Sequence, residues 1–128
     1  MFQKLNPQSG VPAYQQIVGQ IKHAIELGQL KAGDALPSIR QFAETVLVNP
    51  NTIVRAFREL ENEGVVEIRH GSGAYITNTG ARRLGKSRVH DGHPVMQQAV
   101  EALMDMGLSQ ERIRRIFEAE LARQESLR

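Results

Sequence analysis

Apolar side chains recur along most of this chain at helical spacing, with glycine, proline and asparagine between the stripes. Tyr14, Ile17, Val18, Ile21 and Ile25 share one face of a helix that Pro12 opens and Gly28 closes. The stretch QLKAGDALPS is broken by Gly33, Asp34 and Pro37, so it predicts a turn-rich connection with a short strand at Ala35 and Leu36. Ser38 and Gln41 stand at capping-box spacing ahead of Ile39, Phe42, Ala43 and Val46, which predicts a second helix over 38–46. Asn49 caps and Pro50 opens a third helix, whose stripe is Ile53, Ala56, Phe57 and Leu60 and whose stop is Gly64. Only Leu47 and Val48 separate the second helix from the Asn49 cap, too few residues for the two helices to lie antiparallel. That spacing is helix-turn-helix geometry. VVEIRHGSGAYIT then gives two β-prone runs, Val65–Arg69 and Ala74–Thr77, around His70-Gly71-Ser72-Gly73, the pattern of a hairpin.

The polar face of the third helix raises the functional question. Asn51, Arg55, Arg58 and Asn62 point away from its apolar stripe, with Thr52 and Glu59 on the flank. Guanidinium forks and amides near a helix N-terminus match purine edges in a DNA major groove, or phosphates. A solvated surface is the plain alternative, and Arg58 has Glu61 three positions on as a surface partner. The Gly-x-Gly of the hairpin loop lies between strands and opens no helix, which removes the nucleotide-loop reading.

Helix, helix-turn-helix and hairpin together predict a mainly α (α+β) winged helix-turn-helix. The order LPSIRQFAETV, VNPNTIVRAFRELENEGVV and RHGSGAYI resembles the DNA-binding domain of GntR-type bacterial transcription regulators over about residues 11–77. With its short tail, the chain is similar to the YtrA-like branch of that family. The resemblance implies that Asn51, Thr52 and Arg55 face DNA, with Arg58 secondary. It also implies that Ser38 and Arg40 approach backbone phosphates and that Gly73 lies at the wing tip near the minor groove. For Ser38 and Arg40 the physics of a capped helix N-terminus points the same way. One position departs from the family pattern: the turn residue that is often glycine is Leu47 here, strained if φ is positive.

Charge and length refine this picture. The chain has 128 residues with 16 basic against 14 acidic, too even to announce a nucleic-acid partner. The distribution says more, because Arg82, Arg83, Lys86 and Arg88 stand together without an acid. Residues 79–93 are therefore expected to be an exposed basic linker between a DNA-binding domain at 1–78 and a tail at 94–128. In the tail, Met96, Ala99, Val100 and Leu103 stripe one helix that Gly107 stops, and Ile113, Ile116, Phe117 and Leu121 stripe a second that starts at Ser109 with Leu108 and Ile113 as its staple. Two such helices bury too little to stand alone, so they are expected to form a homodimer through a helical hairpin. A palindromic double-stranded DNA operator is the matching partner.

No stretch is long enough for a membrane span and no signal peptide opens the chain, so a soluble, cytoplasmic protein is expected. Cysteine is absent, which excludes disulfide and thiolate chemistry. His90, Asp91 and His93 are metal-ligand types without a fourth partner, and no nucleophile-base set appears, so neither metal, cofactor nor enzymatic activity is expected. The leading function is a dimeric repressor, for which the branch resemblance implies a transporter operon or its own as target. The competing function is a winged-helix protein-interaction module.

Overall fold

The computed structural model describes residues 1–127. It forms two compact units, Met1–His90 and Asp91–Arg128. The apolar stripe of α1 (Ala13–Glu26) buries Ile17, Val18, Ile21, Ala24 and Ile25. It packs on α3 (Pro50–Asn62), whose buried face is Ile53, Ala56, Phe57 and Leu60, as the spacing predicts. Helix α2 (Ile39–Val46) covers a second flank of α3 through Phe42, Ala43 and Val46. Phe42 is fully buried, stacks on Phe2 at 4.5 Å between centroids and meets Phe57 edge-on at 6.0 Å.

The hairpin follows α3 directly. Strands β1 (Val66–Arg69) and β2 (Gly73–Ile76) are antiparallel, with Val66 opposite Ile76 and Arg69 opposite Gly73. The strand expected at Ala35 and Leu36 is a single bridge, Ala35 to Tyr75. Around it Gly33 N–H donates to Ile76 O at 2.8 Å, Ile76 N–H to Asp34 O at 2.9 Å and Leu36 N–H to Ala74 O at 2.8 Å. This segment covers the outer edge of β2.

Two glutamines one turn apart on α1 tie down the first residues of the chain, which have no periodic pattern of their own. Gln20 accepts from Gln3 N–H at 2.9 Å and donates to Gln3 O at 2.8 Å. Gln16 accepts from Asn6 N–H and donates to Asn6 O, Ser9 Oγ and Val11 O, all within 3.0 Å. The arm thereby brings Phe2 to Phe42 and Leu5 to the core.

The expectation of an exposed linker after residue 78 needs correction: α4 (Asn78–Gly85) occupies this stretch. Thr77 Oγ1 accepts from Gly80 N–H at 2.9 Å and donates to Gly64 O at 2.6 Å, so one hydroxyl caps α4 and fastens it to the end of α3. Ala81 and Leu84 pack on the core, and Arg83, expected as an exposed cation, donates to Glu63 O at 2.8 Å. A cation at that carbonyl suits the C-terminal end of α3. Glycines made the segment read as a loop, but Gly80 is there for contact, since a Cβ would stand 2.7 Å from Val65 Cα.

Helix α5 (Val89–Asp105) also starts earlier than its apolar stripe predicts and carries Pro94 inside it. Ser87 Oγ accepts from Val89 N–H at 3.1 Å, a start signal that the proline and Gly92 obscure. Gly107, at φ 87°, ends the turn, and Ser109 caps α6 (Gln110–Ser126) by accepting from Arg112 N–H at 3.2 Å. In residues 91–127 only Ile113 is buried, while Met96, Ile116, Phe117 and Leu121 are 46%, 45%, 43% and 44% exposed. No helix among the described residues is long and apolar enough to cross a membrane.

Because Gly80 touches backbone, Gly80→Ala must push α4 away from Val65. It should lower unfolding stability by about 1–3 kcal/mol in a urea titration. An unchanged midpoint would show that α4 is not seated there.

Candidate nucleic-acid interface

The turn between α2 and α3 sets the site. Leu47 ends α2 in the left-handed conformation, φ 59° and ψ 55°, and donates to Ala43 O, so leucine itself takes the conformation that glycine would supply. Its side chain is 66% exposed and gains little burial in return. Asn49 then accepts from Asn51 N–H at 2.8 Å and Pro50 takes the first helical position, which fixes where α3 begins.

With the inner stripe buried, Asn51, Arg55 and Arg58 are exposed and Thr52 is half-buried. They divide between two recesses. Asn51, Thr52 and Arg55 line the first with Pro12, Ala13 and Tyr14 at the start of α1. The Arg55 guanidinium lies over the Tyr14 ring, 3.8 Å from its centroid. The second recess, about 480 Å³, runs between α3, the start of α2 and the hairpin, and brings together Ser38, Arg58 and Gly73 with Ile68, Arg69 and His70. Arg40 lies on neither lining; its exposed side chain stands 3.5 Å from Glu44 on the next turn of α2.

Ser38 completes the capping box. Its hydroxyl accepts from Gln41 N–H at 3.1 Å while Gln41 Oε1 accepts from Ser38 N–H at 3.4 Å. The amides of Ile39 and Arg40 in the same turn have no intrahelical acceptor and make a positive, anion-accepting end. Glu61, the surface partner considered for Arg58, instead accepts from Ile68 N–H at 2.9 Å and so braces β1.

In the wing, Gly73 faces Arg69 across the end rung and has φ 129°, a conformation closed to most side chains. Gly73 is therefore required by the backbone of the hairpin, quite apart from any approach to a partner. The sequence reading did not single out the second arginine–tyrosine pair. Arg69 lies over the Tyr75 ring at 4.3 Å with Nε 3.4 Å from Glu67, and Tyr75 OH hydrogen-bonds Ser72 Oγ at the tip. Nor did it see Tyr14 as anything but core. The available signal was its place at the polar edge of the α1 stripe, where a tyrosine presents one ring face to the core and another outward. No group of His, Asp and Glu side chains among the described residues is arranged to hold a metal ion.

Residues 13–76, the span of α1, the helix-turn-helix and the wing, match the model of bacterial regulatory proteins of the gntR family. The chain belongs to that family. It is a DNA-binding transcription regulator. The chain is similar to the HTH-type transcriptional repressor YtrA of Bacillus subtilis (strain 168), 38% identical over 86 residues, which are 67% of this chain and 66% of that protein. To the HTH-type transcriptional regulator YhcF of the same organism it is 36% identical over 104 residues, 81% of this chain and 85% of that one. A solved GntR family transcriptional regulator from Listeria monocytogenes superposes with a TM-score of 0.57 at 29% identity, covering 88% of this chain and 97% of that one. These relatives are described as transcription regulators, and they disfavour the protein-interaction module.

The strain at Leu47 yields a stability prediction. Leu47→Gly removes about 1–2 kcal/mol of left-handed strain and loses part of that to chain entropy. The midpoint of chemical unfolding should rise or hold. A clear fall would mean that the leucine side chain is buried by something.

Proposed function

We propose that this regulator is a homodimeric repressor that reads a palindromic operator with the outer face of α3. The observation that carries the reading is the convergence of Ser38, Arg58 and Gly73 on one recess and of Asn51, Thr52 and Arg55 on the next, both built on α3. In this reading Asn51, Thr52 and Arg55 meet base edges in the major groove, with Arg58 beside them. Ser38, Arg40 and the first-turn amides of α2 hold a phosphate, and the Gly73 end of the wing reaches the adjacent minor groove. Repression is supported by similarity to YtrA, a transcriptional repressor. The branch resemblance points to a transporter operon or the chain's own as the target. In this reading the protein acts in the cytoplasm, on chromosomal DNA.

Dimerisation is assigned to residues 94–128, and α4, seated on the core, is grouped with the DNA-binding domain. The exposed Met96, Ile116, Phe117 and Leu121 support it, because only one side chain of residues 91–127 is buried and two helices with so small a core need a partner surface. Two winged helices held together share one association cost and match a twofold operator.

Selecting duplexes from a random pool with the full chain tests the reading: it should yield a palindrome bound with steep salt dependence. An unselective pool would contradict it. Arg55→Ala should then weaken binding to the selected duplex by about 1–3 kcal/mol and leave the melting temperature almost unchanged. Equal affinity in the folded variant would remove α3 from the DNA.

The tail yields a further prediction. The pair Ile116→Glu and Phe117→Glu should make the chain monomeric by sedimentation at micromolar concentration, since unpaired charge is costly to bury. Binding to the palindrome should weaken more than binding to a half-site. A double variant that stays dimeric, or a monomeric parent, would refute the assignment.

A further inference from the structure

We propose that Tyr14, on α1, is a positioning residue for operator reading: its ring holds the Arg55 guanidinium ready to meet the duplex edge-on. The inference rests on the reading of α3 above and names a residue on another helix through which that reading works. The Arg55 Cζ lies 3.8 Å from the ring centroid, with Asn51 and Thr52 beside it on the same recess.

Stacking of this kind occupies the flat face of the guanidinium and leaves its in-plane N–H groups free. They are free here, since among the described residues no carboxylate or carbonyl accepts from Arg55. Three other arginines of the first unit are engaged by acceptors of the chain itself: Arg40 stands beside Glu44, Arg69 beside Glu67, and Arg83 donates to Glu63 O. Arg55 has a ring and no acceptor, the state of a fork kept available for an outside partner.

The platform is itself fixed. Tyr14 is half-buried against the core cluster, and its hydroxyl accepts from Gln15 Nε2 at 3.1 Å. The helix that carries it packs on α3, and the Gln16 bonds to the first residues of the chain hold its N-terminal end. A free arginine on an exposed helix face loses rotamer freedom when it binds; one already stacked on an aromatic has lost part of it on folding. The benefit therefore appears in affinity for the correct duplex and in discrimination, and both vanish if Arg55 is absent.

The test is a double-mutant cycle on the full chain, with the duplex selected from the random pool as probe, together with single-base-pair variants of it. Tyr14→Leu should weaken binding to the selected duplex about two- to fivefold, the worth of one exposed cation–π contact. It should flatten discrimination at the same base pairs that Arg55→Ala ceases to read. Tyr14→Phe keeps the ring and should restore most of the parent's affinity, and Tyr14→Leu should cost nothing further in the Arg55→Ala background. Melting temperatures check that each variant is folded, and Tyr14→Met replaces the leucine variant if that one is not. Additive losses, tighter binding by Tyr14→Leu, or equal weakness of the Phe and Leu variants would overturn the inference. Arg55→Ala with parental affinity would sink the reading of α3 as well. Loss in Arg55→Ala with none in Tyr14→Leu would sink the role of Tyr14 alone.

Discussion

Everything in the first unit follows from the burial of one face of α3. Helices α1 and α2 and strand β1 each pack on that helix, and Ile53, Ala56 and Leu60 have no exposed surface. A helix enclosed on that side can present only the opposite side to a partner. Because α2 and α3 are joined by so short a turn, closing the core also fixes the angle between them, and with it the place of the α2 N-terminus beside α3. Leu47 shows how firmly the turn is held: a leucine stays in a left-handed conformation because the helices on either side leave it no other.

The surface left over is built from small numbers of fixed polar groups. Ser38 caps α2 and leaves its first amides outward, Arg55 rests on Tyr14, and Arg69 rests on Tyr75 between α3 and the wing tip. Two arginines thus rest on aromatic platforms, Arg55 of α3 on the ring of α1 and Arg69 of β1 on the ring of β2. The net charge of +2 is modest, so in the proposed reading attraction to DNA rests on the local placement of charge rather than on the whole-molecule balance.

Much of this was legible in the chain. The stripe of α1, the capping box at Ser38, the Asn49-Pro50 start, the hairpin around Gly71 and the Gly107-Ser109 junction each rest on local chemistry within a few residues, and local chemistry is what a sequence displays. Helix α4 was not legible because its glycines read as breakers, whereas Gly80 serves a close approach to Val65 that depends on how the chain has already folded. The early start of α5 was hidden by Pro94, and the seating of the arm by Gln16 and Gln20 has no periodic signature. In the candidate interface, periodicity puts Asn51, Arg55 and Arg58 on the outer face of α3, and the family resemblance adds Thr52 and the role of the group. The Tyr14–Arg55 stack follows from neither, since it joins two helices and appears only once α1 has packed on α3.

The most direct test of the central claim, that the face of α3 opposite the core is the surface that meets DNA, is a residue-resolved NMR titration. The full chain would be titrated with its selected duplex and backbone amide shifts followed. The account predicts the largest changes at Asn51–Arg58, in the first turn of α2 and around Gly71–Gly73, with α4 nearly unmoved. Changes concentrated on α4 or on the outer side of α1, with α3 silent, would contradict it.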